Sequence, residues 1–238
     1  MNERLNVLSI DWDYFIDASA ADRLMLFPDG GNENLSTTLQ DIVWSGRYNN
    51  DKLLTVKSDS KAIRFVKGIL KKTDANYMIV DSHRHAYDFI TDSMKDFNRD
   101  SINLVNIDFH HDVYDNGSDV DCGNWLAKII ELYGRGSSFT WVGRKDSDMN
   151  YRDDIGLEFT TSLDIVGEYD WDIVFICRSG MWSPPHLDES FRNMFNWITK
   201  NCPTKYQRDI FTDRYRRVKK MNTEMHVFKN IPEVSNSF

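Results

Sequence analysis

Short runs of consecutive apolar residues alternate along this chain with segments whose apolar residues recur every three or four positions. Residues 5–10, 77–80, 102–107, 139–142 and 172–177 are of the first kind. They are rich in β-branched and aromatic residues and read as strands buried on both faces. Segments of the second kind lie between them. Residues 58–72 carry a stripe of Ile63, Val66, Ile69 and Leu70, with Ser58 or Ser60 placed to cap the helix. Residues 86–97 read as a second helix. Residues 125–133 bury Leu126, Ile129, Ile130 and Tyr133, and residues 187–200 turn Phe191, Met194, Phe195 and Ile198 inward until Pro203 stops the helix. Strands alternating with amphipathic helices predict an α/β fold: a mostly parallel sheet with helices on both faces.

The remaining stretches have weaker patterns. Residues 17–48 contain Pro28-Asp29-Gly30-Gly31 and few periodic apolar positions. They read as a long excursion, a lid or substrate loop anchored by Trp44 and Tyr48. Residues 143–154 form a polar loop before a weak strand at 155–159. Residues 178–186 have the mixed polar and aromatic character of a binding rim. From about residue 205 the chain becomes basic, with Arg208, Arg214, Arg216, Arg217, Lys219 and Lys220, which reads as a solvated helix face. Residues 226–234 read as a final strand. The organisation expected is one domain over 1–238 with a basic C-terminal segment.

Composition narrows the function. The 238 residues are 41% hydrophobic and include seven Trp, enough for a sizeable core and too much for a disordered chain. The net charge of −8 gives no general attraction to nucleic acid. The three cysteines, Cys122, Cys177 and Cys202, lack the spacing of a thiolate metal site or a disulfide framework. No signal peptide and no apolar run near the roughly 18 residues of a membrane span is evident, so a cytoplasmic protein without membrane partners is expected.

The chemistry gathers where strands end. The first strand runs into Asp11-Trp12-Asp13, the second into Ser82-His83-Arg84-His85, and the third into Asp108-Phe109-His110-His111-Asp112. In an extended segment, positions i, i+2 and i+4 share one side, which would converge Asp108, His110 and Asp112. His85 competes with His83 as a ligand. Turn-capping carboxylates and a solvated histidine are the plainer alternatives. In parallel α/β sheets, however, ligands bind beyond the carboxyl ends of the strands, where all six residues fall. Four carboxylates and two imidazoles suit Mn²⁺ and related ions. Four carboxylates exceed the needs of one ion, so two ions sharing carboxylates are expected.

Asp108-x-His110-x-Asp112 resembles the Asp-x-His-x-Asp signature of the arginase (ureohydrolase) superfamily. Ser9-x-Asp11-x-Asp13 is similar to that family's Ser-x-Asp-x-Asp strand end, and His83-Arg84-His85-Ala86 to its first histidine motif. The Asp11-Trp12-Asp13-Tyr14-Phe15 stretch and the Asn124-Trp125-Leu126 helix start look more like a divergent branch that includes peptide arginases, which convert arginine to ornithine inside ribosomally made peptides. In ordinary arginases the Asp-x-Asp motif follows Asp-x-His-x-Asp. Here it precedes, so the cyclic order is kept and a circular permutation of the motifs is implied.

The resemblance implies a three-layer arginase-like fold and two Mn²⁺ ions. One would be held by His83, Asp108, Asp112 and Asp11, the other by His110, Asp108, Asp11 and Asp13. Metal-activated water would attack the guanidinium carbon of a peptidyl arginine and release urea. The partner implied is an arginine-containing precursor peptide, with homo-oligomer formation left open. The family's general-acid histidine has no clear match, and His111 and His186 are the candidates; alternation turns His111 away from the ligands. Its guanidinium-binding glutamate is also unmatched, with Arg178 near its expected place. Asp119, Asp121 and Glu189 are the candidate substrate carboxylates. Three rival readings fit parts of the pattern: a haloacid-dehalogenase-type phosphatase with Asp11 as nucleophile, a non-catalytic metal- or peptide-binding protein, and a single-metal deacetylase.

Overall fold

The computed structural model describes residues 4–28, 35–115, 117–202, 206–207 and 213–229. The elements, in chain order, are β1 (Leu5–Asp11), β2 (Ile16–Asp17), α1 (Ala20–Leu26), α2 (Thr37–Arg47), β3 (Lys57–Ser58), α3 (Ser60–Leu70), β4 (Asn76–Val80), α4 (His85–Asp96), β5 (Ile102–Ile107), α5 (Trp125–Tyr133), β6 (Ser138–Val142), β7 (Leu157–Thr160), β8 (Ile173–Cys177), α6 (Asp188–Asn201), β9 (Tyr206–Gln207) and α7 (Arg214–Lys229). The main sheet runs β7-β6-β5-β1-β8-β4-β9, with every pairing parallel. β2 and β3 form a separate antiparallel pair.

Alternation along the strands sorts the core into two layers. Leu8 and Ile10 of β1, Val105 and Ile107 of β5, and Val174 and Ile176 of β8 pack with Val66 of α3 and with Phe191, Met194 and Ile198 of α6. Leu5 and Val7, Ile102 and Leu104, and Ile173 and Phe175 face the other way, against Ile90 and Met94 of α4 and Trp125, Leu126 and Ile129 of α5. This is a three-layer α/β architecture, consistent with an arginase-like fold. No helix among the described residues is long and apolar enough to cross a membrane.

Several expectations need correction. Residues 17–48 are not one irregular excursion, because they contain β2, α1 and α2. Trp44 and Tyr48 do anchor the segment: Trp44 is fully buried and donates to the Gly180 carbonyl (2.9 Å), and Tyr48 bonds His186. The α3 cap is Asp59, which accepts from Lys61 and Ala62. The edge strand begins at Leu157, after a 3-10 turn at Asp153–Ile155. Residues 226–229 belong to α7, and the rest of the proposed final strand lies outside the described residues. Arg208 also lies outside them.

The basic C-terminal segment is only partly a solvated face. Arg214 is fully buried and pairs with Asp188 (Nε to Oδ2, 2.8 Å), and Arg217 pairs with Asp41 of α2 (2.6 Å). Arg216, Lys219 and Lys220 remain exposed. The charged helix is therefore docked through two of its arginines, each opposite a buried carboxylate, as burial of a guanidinium requires.

Candidate metal centre

β1 lies between β5 and β8, and β4 lies beyond β8, so the ends of four neighbouring strands meet on one edge of the sheet. Asp11 ends β1. Asp13 sits in the 3-10 turn Trp12–Phe15 that follows it. His83 precedes α4, and Asp108, His110 and Asp112 follow β5. The structure brings all six together. His83 Nδ1 stands 3.2 Å from Asp11 Oδ2, 3.2 Å from Asp108 Oδ2 and 3.0 Å from Asp112 Oδ2. His110 Nδ1 stands 3.1 Å from Asp13 Oδ2 and 3.8 Å from Asp108 Oδ1. Asp11, His83 and Asp108 form one group able to hold a metal ion, and Asp13, Asp108 and His110 form another.

The local reason for convergence differs from the expected alternation, since β5 ends at Ile107 and the motif is bent. Asp108 Oδ1 accepts the His110 amide (2.9 Å), and Asp11 Oδ1 accepts the Asp13 amide (3.0 Å). Both are side-chain turns of the kind short carboxylates form two residues on. Asp112 closes the bend in a left-handed conformation, φ 53°. Ser179, at φ 49°, is likewise left-handed and donates to Asp11 Oδ2. Two of the three non-glycine residues with positive φ among those described thus touch this cluster, where stored backbone strain tends to gather.

A supporting shell fixes the ligands. His83 Nε2 lies 2.7 Å from the Ser9 hydroxyl, leaving Nδ1 toward the carboxylates, and its ring stacks on Phe175 and leans on Trp125. Trp125 Nε1 donates to Asp112 Oδ2 (2.6 Å), and Trp141 Nε1 donates to the Asp108 carbonyl (3.0 Å). Arg23 donates to the Asp13 carbonyl (2.6 Å), reaches Asp13 Oδ2 at 3.6 Å and lies over the Phe109 ring. Ser9 was legible in the Ser9-x-Asp11-x-Asp13 motif, two positions before Asp11 on the same face of β1. Trp125 was marked by the Asn124-Trp125-Leu126 helix start and Ser179 by the polar and aromatic rim at 178–186, though neither contact was; Arg23 left no local signal, because it arrives from a distant element.

Electrostatics show a site short of positive charge. Burial raises the Asp11 carboxyl to about 7, reinforced by Asp13 and Asp108. Burial, with Asp112 and Asp13 nearby, pushes Asp108 well above the usual range, and burial also raises Asp112. Asp13 goes down to about 2: burial opposes this, but the His110 and Arg23 charges prevail. Burial likewise opposes a charge on the imidazoles. Even so, the surrounding carboxylates lift His83 well above its ordinary value and His110 to about 9. Crowded buried carboxylates require cations, and this donor set fits metal ions.

The cluster opens into a cavity of about 140 Å³ whose remaining walls are Tyr114, Cys122, Gly123, Ser179 and Trp182. The other candidate residues lie off it. His111 is buried among Tyr114, Trp141 and Tyr151, accepts the Val113 amide at Nδ1 (3.1 Å), and is held by burial to about 4, hence neutral. His186 bonds Tyr48 and the Val56 carbonyl. Asp119 and Glu189 are exposed, and Asp121 Oδ1 accepts the Gly123 and Asn124 amides at the start of α5. His85 begins α4 beside the cluster, and His83 alone of the two histidines belongs to it. Arg178 forms a bidentate pair with Asp81 (2.7 Å and 2.7 Å) and also bonds Asp188, so it is a structural cation. Comparison with protein-family models, with curated proteins and with solved structures finds no match to this chain.

Proposed function

We propose that this chain is a binuclear metal hydrolase that converts peptidyl arginine to ornithine with release of urea. The observation that supports this reading is the sharing of Asp108 by two histidine–carboxylate groups whose carboxylates are buried. His83, Asp11, Asp108 and Asp112 would hold one ion, and His110, Asp13, Asp108 and Asp11 the other. Mn²⁺ suits this oxygen-rich set. Two divalent ions would match the charge of the four carboxylates. When bound, such a pair lowers the pKa of a shared water and polarises the electrophile.

The protein's part is orientation and exclusion. Ser9 and Trp125 fix His83 and Asp112, while Ser179 fixes Asp11. The aromatic walls, Tyr114 and Trp182, suit a guanidinium, which π-systems attract. Neither His111 nor His186 borders the cavity. Tyr114 lines the cavity, and burial keeps its hydroxyl protonated and able to donate a hydrogen bond to a bound substrate.

The test is mass spectrometry of an arginine peptide incubated with the protein and Mn²⁺, with urea measured in parallel. Each turnover removes the mass of cyanamide from an arginine, and a chelator abolishes the change. Absence of urea from every arginine compound rejects the hydrolase. Turnover of free arginine alone rejects the peptide substrate.

A further inference from the structure

A second cavity of about 500 Å³ adjoins the metal centre. It shares His110 and Trp182 with the smaller one, so these two side chains border both spaces. Its other surfaces include Leu24 and Phe27, from α1 and its C-terminal cap, and Phe109 between Asp108 and His110. Arg23 is its one arginine or lysine among the described lining residues and lies 3.9 Å over the Phe109 ring.

Size divides the labour between the cavities. Pockets that enclose a whole small molecule usually measure about 300–1,000 Å³. The 140 Å³ space over the carboxylates is below that range and admits only the reacting end of a substrate. The 500 Å³ space lies within it and can bury a further group. Apolar walls reward an apolar group, and the Arg23 guanidinium penalises a basic one.

We infer that this annex is a specificity subsite for an apolar side chain flanking the reacting arginine of the peptide. The inference rests on the hydrolase reading for the identity of the reacting residue. It explains why α1 is built where it is. Arg23 tethers α1 to the Asp13 and Ile16 carbonyls beneath the metal centre. Leu24, 78% exposed, then stands at the mouth of the annex with no packing role of its own.

The experiment compares two arginine peptides that differ only in the residues flanking arginine, Leu in one and Lys in the other. Calorimetric titration into protein without added metal is expected to show about tenfold tighter binding of the Leu peptide, the scale of one buried aliphatic side chain. Leu24→Asp, at an exposed position that tolerates substitution, is expected to erase most of that preference. Equal affinities, binding of neither peptide, or an unchanged preference in Leu24→Asp would overturn the subsite. The two readings fail separately. Selective binding of the Leu peptide without urea on adding Mn²⁺ retains the annex and rejects the hydrolase. Urea release with equal kcat/KM from both peptides rejects the annex alone.

Discussion

Asp11 and Asp108 each divide two oxygens between two tasks. Oδ1 closes a turn by accepting the amide two residues on, and Oδ2 faces His83 Nδ1 at 3.2 Å. The i, i+2 spacing of both motifs therefore has a local cause, a turn in place of the strand alternation expected from the sequence. An amide oxygen can close the same turn without supplying charge. Asp108→Asn is therefore expected to keep the unfolding midpoint of the metal-free protein at or above wild type. Its loss of metal affinity is expected to exceed the roughly 10–100-fold typical of outer-shell changes. Ser9→Ala, which removes only the partner of His83 Nε2, is expected to fall within that range of about 10–100-fold while retaining the fold, as competition with a chelating dye would show. If Ser9→Ala bound metal like wild type, the orientation argument would be wrong.

Protonation adds a prediction at the same scale. In the metal-free protein His110 is raised to about 9, above its unfolded value, so its contribution to stability is present at low pH and is lost as pH rises through 9. The same protons compete with metal, which needs neutral imidazole and ionised carboxylate. Metal affinity is therefore expected to rise from pH 6 to about 9, with protons released on binding at neutral pH. Calorimetry in buffers of different ionisation enthalpy measures that release, and a pH-independent affinity would contradict it.

At the scale of elements, the apolar runs located β1, β4, β5, β6 and β8 to within a residue or two, because strands buried on both faces are read by their composition. α1 and α2 escaped. The side of α2 that packs inward carries Gln40, Asp41, Trp44 and Ser45, while Leu39, Ile42 and Val43 face solvent. An inward face that is mostly polar defeats a search for hydrophobic periodicity. The polar face serves the rim of the site. Gly180 is approached by Gln40, Asp81 and Arg214 so closely that a Cβ would lie 2.7 Å from the Gln40 side-chain oxygen. Its carbonyl accepts from Trp44 and Arg214. Arg178, Asp81, Asp188 and Arg214 thus clamp the loop that carries Ser179 and Trp182. Arg214→Ala leaves Asp188 with Arg178 alone and is expected to cost about 3–5 kcal/mol in urea denaturation. A cost below about 1 kcal/mol, the level of a surface pair, would show that α7 is not coupled to the rim.

Across the whole molecule, the site depends on strand adjacency and not on the order of motifs along the chain. β1 and β5 are hydrogen-bonded neighbours although β4 separates them in sequence, which is why Asp11-x-Asp13 can precede Asp108-x-His110-x-Asp112 and still complete it. All six candidate ligands were legible, because charges at the ends of buried strands are conspicuous. Ser9, Trp125 and the rim at 178–186 were marked as well, but their contacts with the ligands, and Arg23 altogether, were not, because proximity between distant elements leaves no mark in local pattern. Asp119, Asp121 and Glu189 are candidates by charge and adjoining position, and none of the three lines the cavity. The central claim is a two-ion centre bridged by Asp108. Its most direct test is metal stoichiometry by mass spectrometry of the native protein after Mn²⁺ loading and desalting. The account predicts two ions per wild-type chain, loss of both in Asp108→Ala, and retention of one in Asp13→Ala. A single ion in the wild type, or two ions in Asp108→Ala, would contradict it.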